Sequence, residues 1–193
     1  MQTALAQQGF TLLELVFAVG LAATLSGMAL PPTLRVLEEY RTAGAARYVA
    51  ARFQKARMEA VRRSTNVAVR FSDSGEFATY VDGNGNGVLS AEIRDGADPQ
   101  LGAADRVELG FSGVHIAVLP GLPPVDPGGA PPGNDPVHLG AGSIASFTSA
   151  GTSSSGSVYV RSDRCQLVVR LYGDTGKTRV LRFEEGSRQW RPL

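Results

Sequence analysis

One glutamate inside an otherwise uncharged apolar run constrains this chain more than any other feature of its 193 residues. From Phe10 to Leu30 there are 21 residues without Lys, Arg, Asp, His or Pro, and Glu14 is the single charge among them. About 20 such residues, at 1.5 Å rise each, cross the roughly 30 Å hydrocarbon core of a bilayer. A charge at the centre of a membrane helix costs about 2.5–3.5 kcal/mol on insertion scales and less near the interface, so such charges usually have a function. Glu14 therefore needs a cation, yet no basic side chain occurs in residues 1–34. Cutting the chain after Gly9 would create one, as a backbone amine at Phe10.

Two plainer readings compete. Thr11-x-x-Glu14 fits a capping box, in which two donors at a helix start are satisfied reciprocally. That accounts for a helix start but not for a carboxylate inside the apolar run. A secretory signal peptide is the other reading. It fits poorly, because residues 1–9 hold no Lys or Arg and the apolar run exceeds the usual length of about 7–15 residues.

Gln8-Gly9-Phe10-Thr11-Leu12-Leu13-Glu14-Leu15 resembles the class III signal of type IV pilins and pseudopilins. The resemblance implies cleavage by a prepilin peptidase between Gly9 and Phe10, methylation of the new Phe10 amine, and retention of Glu14 for assembly. It further implies a leader over residues 1–9, a transmembrane and assembly helix over 10–30, and helix again over 31–63. The expected location is the bacterial inner membrane, single-pass, with the globular domain outside the cytoplasm, and a pilus or pseudopilus once assembled. Expected partners are the peptidase, the membrane, and other pilins or pseudopilins met through the N-terminal helix. In one respect the chain departs from the family: its leader lacks the usual Lys or Arg.

The net charge of +1 conceals an uneven distribution. Residues 35–63 carry a net +5, residues 64–157 a net −7, and residues 158–193 a net +4. Basic residues after an apolar span weigh it toward a cytoplasmic position, opposite to the orientation that the signal motif implies. Cys165 is the only cysteine, so no internal disulfide is available. Its strand-like setting, Cys165-Gln166-Leu167-Val168-Val169, predicts a buried or half-buried thiol.

Pro31-Pro32 predicts a kink or local melting of the helix. Helix signals then resume to Arg63, with Ala45, Val49, Phe53, Ala56 and Ala60 forming one apolar stripe. From Asn66 the period becomes two: Val67, Val69 and Phe71, then Phe77–Val81 after Asp73-Ser74-Gly75, read as a hairpin. Further strand signals are Val114–Leu119, Ile144–Thr148, Ser157–Arg161, Cys165–Tyr172 and Lys177–Phe183. The Pro/Gly-rich stretch 120–142 reads as a surface loop. The predicted fold class is α+β, a long N-terminal helix packed on an antiparallel sheet of about seven strands within 64–193.

Ala51–Arg63 followed by Val67-Ala68-Val69, the Asp82–Glu92 turn, and Phe147-Thr148-Ser149-Ala150-Gly151-Thr152 resemble the GspH/FimT group of minor pseudopilins and pilins. The group implies a structural subunit without enzymatic activity or cofactor, either in a type II secretion pseudopilus or in a type IV pilus. The alternative is a minor pilin that binds DNA for natural transformation or acts as an adhesin.

Two stretches invite ligands. Asp82, Asn84, Asn86 and Ser90 put oxygens at calcium-loop positions 1, 3, 5 and 9, but position 12 is Ile93, and Glu92 comes one place early. The competing reading is a Gly/Asn turn with no metal. In Gly176-Lys177-Thr178-Arg179, with Arg182 following, alternating basic residues could form a phosphate-contact row. Some FimT-like members use a Gly-Arg-x-Arg element there to bind DNA, which this segment resembles. The competing reading is a solvated strand face, with Glu184 and Glu185 partly cancelling the field. His115 and His138 stand apart from any nucleophile or carboxylate pattern, and no phosphate-binding loop or paired cysteine occurs, so an enzyme is not expected.

Overall fold

The computed structural model describes residues 10–140 and 142–193, without the side chains of residues 28–32. The predicted leader, Gly9 included, lies outside the described residues. Helix α1 runs Leu12–Arg63. Its backbone stays helical through Pro31 and Pro32, so the local melting expected there does not occur; each proline removes one donor from a helix of 52 residues. Its end is a Schellman-type cap with Ser64 at φ 53. Thr65 N–H donates to Ala60 O at 3.2 Å and Ser64 N–H to Val61 O at 3.3 Å.

The chain divides into two compact units, Met1–Leu37 and Glu38–Leu193. In the first, residues 10–37 are helical from Leu12 onward and every described side chain is exposed. The second unit holds the rest of α1 and the strands β1 (Val67–Phe71), β2 (Glu76–Val81), β3 (Asp105–Arg106), β4 (His115–Ile116), β5 (Val137–His138), β6 (Ile144–Phe147), β7 (Gly156–Arg161), β8 (Gln166–Tyr172), β9 (Lys177–Glu184) and β10 (Gln189–Pro192). Short helices α2 (Ser90–Asp95) and α3 (Val107–Gly110) sit between β2 and β4.

Instead of one sheet of about seven strands there are two antiparallel sheets. The first has the order β3-β2-β1-β6, and the second β10-β9-β8-β7-β4, with β5 also paired to β7. The hairpin expected at Val67–Val81 is present, with Val67 opposite Val81 and Phe71 opposite Phe77. The apolar stripe of α1 joins the two sheets. Ala45, Val49, Phe53, Ala56 and Ala60 are all buried and pack with Val69, Phe71, Phe77 and Phe147 of the first sheet and Val158, Val160, Leu167, Val169 and Leu171 of the second. Residues on alternate positions of a strand face opposite sides, so Val168 and Leu181 point the other way. They form a second cluster with Leu122, Tyr159, Phe183 and Trp190.

That second cluster corrects the reading of 120–142 as a plain surface loop. Up to Pro136 the segment is a strap over the outer face of the second sheet, with Leu122 buried and Val125 packed against the cluster; Val137–His138 is β5, and Val137 and Leu139 join the inner core. Trp190 Nε1–H donates to Pro123 O at 3.1 Å, Arg188 to Gly121 O at 3.0 Å, and Tyr159 N–H to Pro136 O at 2.8 Å. The predicted strand Val114–Leu119 is reduced to β4 because buried Gln166 takes over its end. Gln166 Oε1 accepts from Leu119 N–H at 2.9 Å while its Nε2 donates to Val160 O at 3.2 Å and Leu167 O at 3.0 Å.

Candidate functional site

Thr11 and Glu14 form the capping box that the spacing predicts. Thr11 N–H and Thr11 Oγ1–H each donate to Glu14 Oε2 at 3.0 Å, and Glu14 N–H donates to Thr11 Oγ1 at 3.2 Å. Both side-chain bonds go to one carboxylate oxygen, and Oε1 has no partner among the described residues. Around this cap the apolar side chains are open on all sides of the helix: Phe10 is 87% exposed, and Leu13, Val16, Phe17, Val19, Leu21 and Leu25 are exposed as well. Among the described residues, no helix is long and apolar enough to cross a membrane. The last three residues of the apolar run, 28–30, have side chains outside the described residues.

The Asp82 loop is closed by its own amides. Asp82 Oδ1 accepts from Asn84 N–H at 3.2 Å and Gly85 N–H at 2.6 Å; Oδ2 accepts from Gly87 N–H and from the Asn66 amide, both at 2.8 Å. Burial alone would raise the Asp82 pKa, but the Asn66 amide and the three loop N–H groups outweigh it and hold the carboxyl below its usual value. Asn84 Oδ1 accepts from Asn86 N–H, and Asn86 donates to Glu92 Oε1 at 2.7 Å. Buried Asp98 completes the loop by accepting from Gly83 N–H at 3.1 Å and Leu89 N–H at 2.9 Å. Gly83 is required, since a Cβ there would stand 2.0 Å from Ala97 O. The Asp82–Glu92 segment is therefore more than a hairpin turn: Ser90–Asp95 is helical and lays Val88 and Ile93 over Ala68 and Ile144 on the back of the first sheet. Among the described residues no group of three or more His, Cys, Asp or Glu is arranged to hold a metal ion.

The basic row is split by strand alternation. Lys177 and Arg179 are exposed on the strap side of β9, with Arg179 opposite Arg170 in register. Arg170 is paired with Asp126 of the strap and stacks on Tyr172, 5.5 Å from the ring centroid. Arg182 does not belong to that row. Three residues on from Arg179, it faces α1 and makes a two-pronged bond to Glu39 at 3.0 and 2.8 Å. That bond to Glu39 raises its pKa further. Cys165 is buried as expected, and burial pushes its thiol pKa up. His115 Nδ1 lies 3.3 Å from Glu108 Oε1, and His138 Nε2 lies 2.9 Å from Pro132 O.

One helix contact was not anticipated from the sequence. Arg57 Nε–H donates to Gly151 O at 2.7 Å, clasping the Phe147–Thr152 turn. Gln54 donates to Gly176 O at 3.1 Å. A Cβ at Gly176 would come within 2.6 Å of Gly151 O, so this glycine allows both turns to meet the helix.

A family model described as type II transport protein GspH matches residues 45–181. The Pilin-like protein PilA1 of Thermus thermophilus is 36% identical over 85 residues, covering 42% of this chain and 51% of that protein. The chain thus spans about half the length of the curated relative it matches. Among solved structures, the minor pseudopilin EpsH from the Type 2 Secretion System of Vibrio cholerae aligns at a TM-score of 0.46 and 12% identity, covering 74% of this chain and 97% of that one.

Proposed function

The chain belongs to the GspH family of type II transport proteins, and on that premise we propose that it is a minor pilin-like subunit of a type II secretion pseudopilus or a type IV pilus. It is made as a precursor, cut between Gly9 and Phe10 by a prepilin peptidase, and methylated on the new Phe10 amine. Residues 10–30 anchor it in the inner membrane before assembly and pack against the same segment of neighbouring subunits afterwards. The domain lies outside the cytoplasm.

The observation that carries this reading is the exposed apolar helix with its one carboxylate at the first turn. Within the run, Glu14 is already fixed by Thr11 through Oε2, which leaves Oε1 to receive an ammonium group. The cleavage supplies that group one residue before Thr11. A charge costing about 2.5–3.5 kcal/mol at a bilayer centre is then compensated only in the processed subunit. The capping box and the assembly role are therefore compatible, because they use different oxygens of one side chain.

Mass analysis after co-expression with a prepilin peptidase tests the reading. The expected product lacks residues 1–9 and carries a methyl group at Phe10. A product still starting at Met1, or one that has lost the whole apolar run, refutes it.

A second reading is favoured by one feature, the exposure of Lys177 and Arg179 beside Arg170. On that reading the scaffold displays a phosphate-contacting strand for DNA uptake, with Arg182 supporting the fold through Glu39. If Lys177→Ala with Arg179→Ala leaves DNA retention and its salt dependence unchanged, the DNA reading fails and the structural one stands.

A further inference from the structure

The Asp82–Gly87 turn sets asparagine beside glycine twice. Among the four asparagines of the chain, only Asn84 and Asn86 precede a glycine. The backbone demands those glycines, for Gly85 has φ 85 and Gly87 φ 97, a region that residues with a side chain rarely adopt. Both asparagines are exposed. Asparagine is a thermolabile residue, because the next main-chain nitrogen can attack its side-chain amide. A glycine in that next position leaves the nitrogen unshielded by any Cβ.

In the fold each reacting group is engaged elsewhere. Gly85 N–H donates to Asp82 Oδ1 at 2.6 Å and Gly87 N–H to Asp82 Oδ2 at 2.8 Å. Attack requires the nitrogen to give up its proton and swing to the amide carbon. Beside a carboxylate, the negative charge building on that nitrogen is repelled, and the lowered pKa of Asp82 makes it a weak base for the proton. The asparagine side chains are tied as well. Asn84 Oδ1 accepts from Asn86 N–H at 3.2 Å, and Asn86 Nδ2 donates to Glu92 Oε1 at 2.7 Å. Glu92 stands on α2, beside Ile93, which packs against Ala68 and Ile144. Asp82 is itself fixed by the Asn66 amide at 2.8 Å.

We propose that Asn84 and Asn86 are latent deamidation sites, and that the carboxylates of Asp82 and Glu92 hold them unreacted until the loop opens. The inference is independent of the assembly reading. On opening, the nitrogen of Gly85 bonds to Cγ of Asn84. The bond from Cγ to Nδ2 breaks, and ammonia leaves with the proton that the glycine nitrogen gives up. Water then opens the cyclic imide to aspartate or isoaspartate. Asn86 and Gly87 react in the same way. Reaction at Asn86 sets a second carboxylate against Glu92, whose repulsion weakens the closure of the loop. A transient local opening is thereby made permanent.

Peptide mass mapping of the full chain, incubated at neutral pH, follows each site by the mass gained when an amide becomes an acid. Folded wild type is expected to react about tenfold or more slowly than the chain in guanidinium chloride at both positions, the factor of a charge-assisted hydrogen bond. Glu92→Ala should speed Asn86 severalfold and leave Asn84 at its wild-type rate. Asp82→Ala should bring both toward the unfolded rate. Phe53→Ala is the control, because it loosens the main core and lies outside the cluster beneath the loop. It should leave both sites slow while the chain remains folded. Equal rates in the folded and unfolded chain overturn the proposal, as do two sites that respond alike to Glu92→Ala. If Phe53→Ala speeds both sites as much as Asp82→Ala does, global stability supplies the protection and the proposal falls.

Discussion

Replacing Phe53 by alanine tests whether α1 and both sides of the second sheet melt as one unit. Phe53 is fully buried, edge-on to Phe71 at 5.9 Å and tilted against Phe147 at 6.0 Å between ring centroids. Such truncations cost about 3–5 kcal/mol, because the lost transfer energy is joined by the cavity left behind. Each kcal/mol moves Tm by roughly 2–4 °C in a domain of this size, so the expected fall is about 6–20 °C. Two native probes report from opposite sides of the sheet. Trp190, the single tryptophan, sits in the outer cluster 5.3 Å from Phe183 and 5.9 Å from Tyr159. Cys165 belongs to the inner cluster with Phe53. Fluorescence of Trp190 and labelling of Cys165 should shift together, as cooperative unfolding requires. The exposed control Met58→Ala should stay within about 0.5 kcal/mol of wild type. A Trp190 transition that holds its temperature while Cys165 reacts earlier would refute the single-unit argument.

Two further outcomes follow from the site geometry. Asp82→Ala strands the Asn84, Gly85 and Gly87 N–H groups and the Asn66 amide, at a cost of about 1–3 kcal/mol by chemical unfolding at pH 7. Because the folded carboxyl has a lowered pKa, its contribution is complete above the unfolded value and disappears as pH falls through the folded one. Wild type and Asp82→Ala should therefore converge in stability on the acid side, and parallel curves would sink the account. Arg182→Ala should lower stability by about 0.2–1 kcal/mol, since its pair with Glu39 is partly exposed. It should leave any DNA retention unaltered; a loss equal to that of Lys177→Ala would place Arg182 in the binding row after all.

What was legible in the sequence was whatever repeats over several turns or residue pairs. The stripe from Ala45 to Ala60, the Val67–Val81 hairpin and the Thr11/Glu14 cap each rest on local spacing, and each is present. The division into two sheets was not legible, because nothing local distinguishes a strand that pairs with β1 from one that pairs with β7. Two-residue strands such as β3 and β5 are too short to show alternation. Arg182 was grouped with Lys177 and Arg179 on charge, although its odd spacing from them puts it on the other face. In the Asp82 loop the spacing of side-chain oxygens was visible, but the amides of Asn84, Gly85 and Gly87 that bond to the Asp82 carboxylate were not, because backbone donors are silent in a motif of side chains.

The strap over residues 120–142 is fastened chiefly by main-chain oxygens. Trp190, Arg188 and the Tyr159 amide reach Pro123, Gly121 and Pro136 at their carbonyls, which every residue type possesses. The anchoring code is therefore written in the frame, and most side chains of the strap are left unconstrained by it. Related subunits could exchange the exposed side chains among them, though not Leu122, Val125, Asp126, Pro132, Val137 or Leu139, and present a different outer surface on an unchanged scaffold.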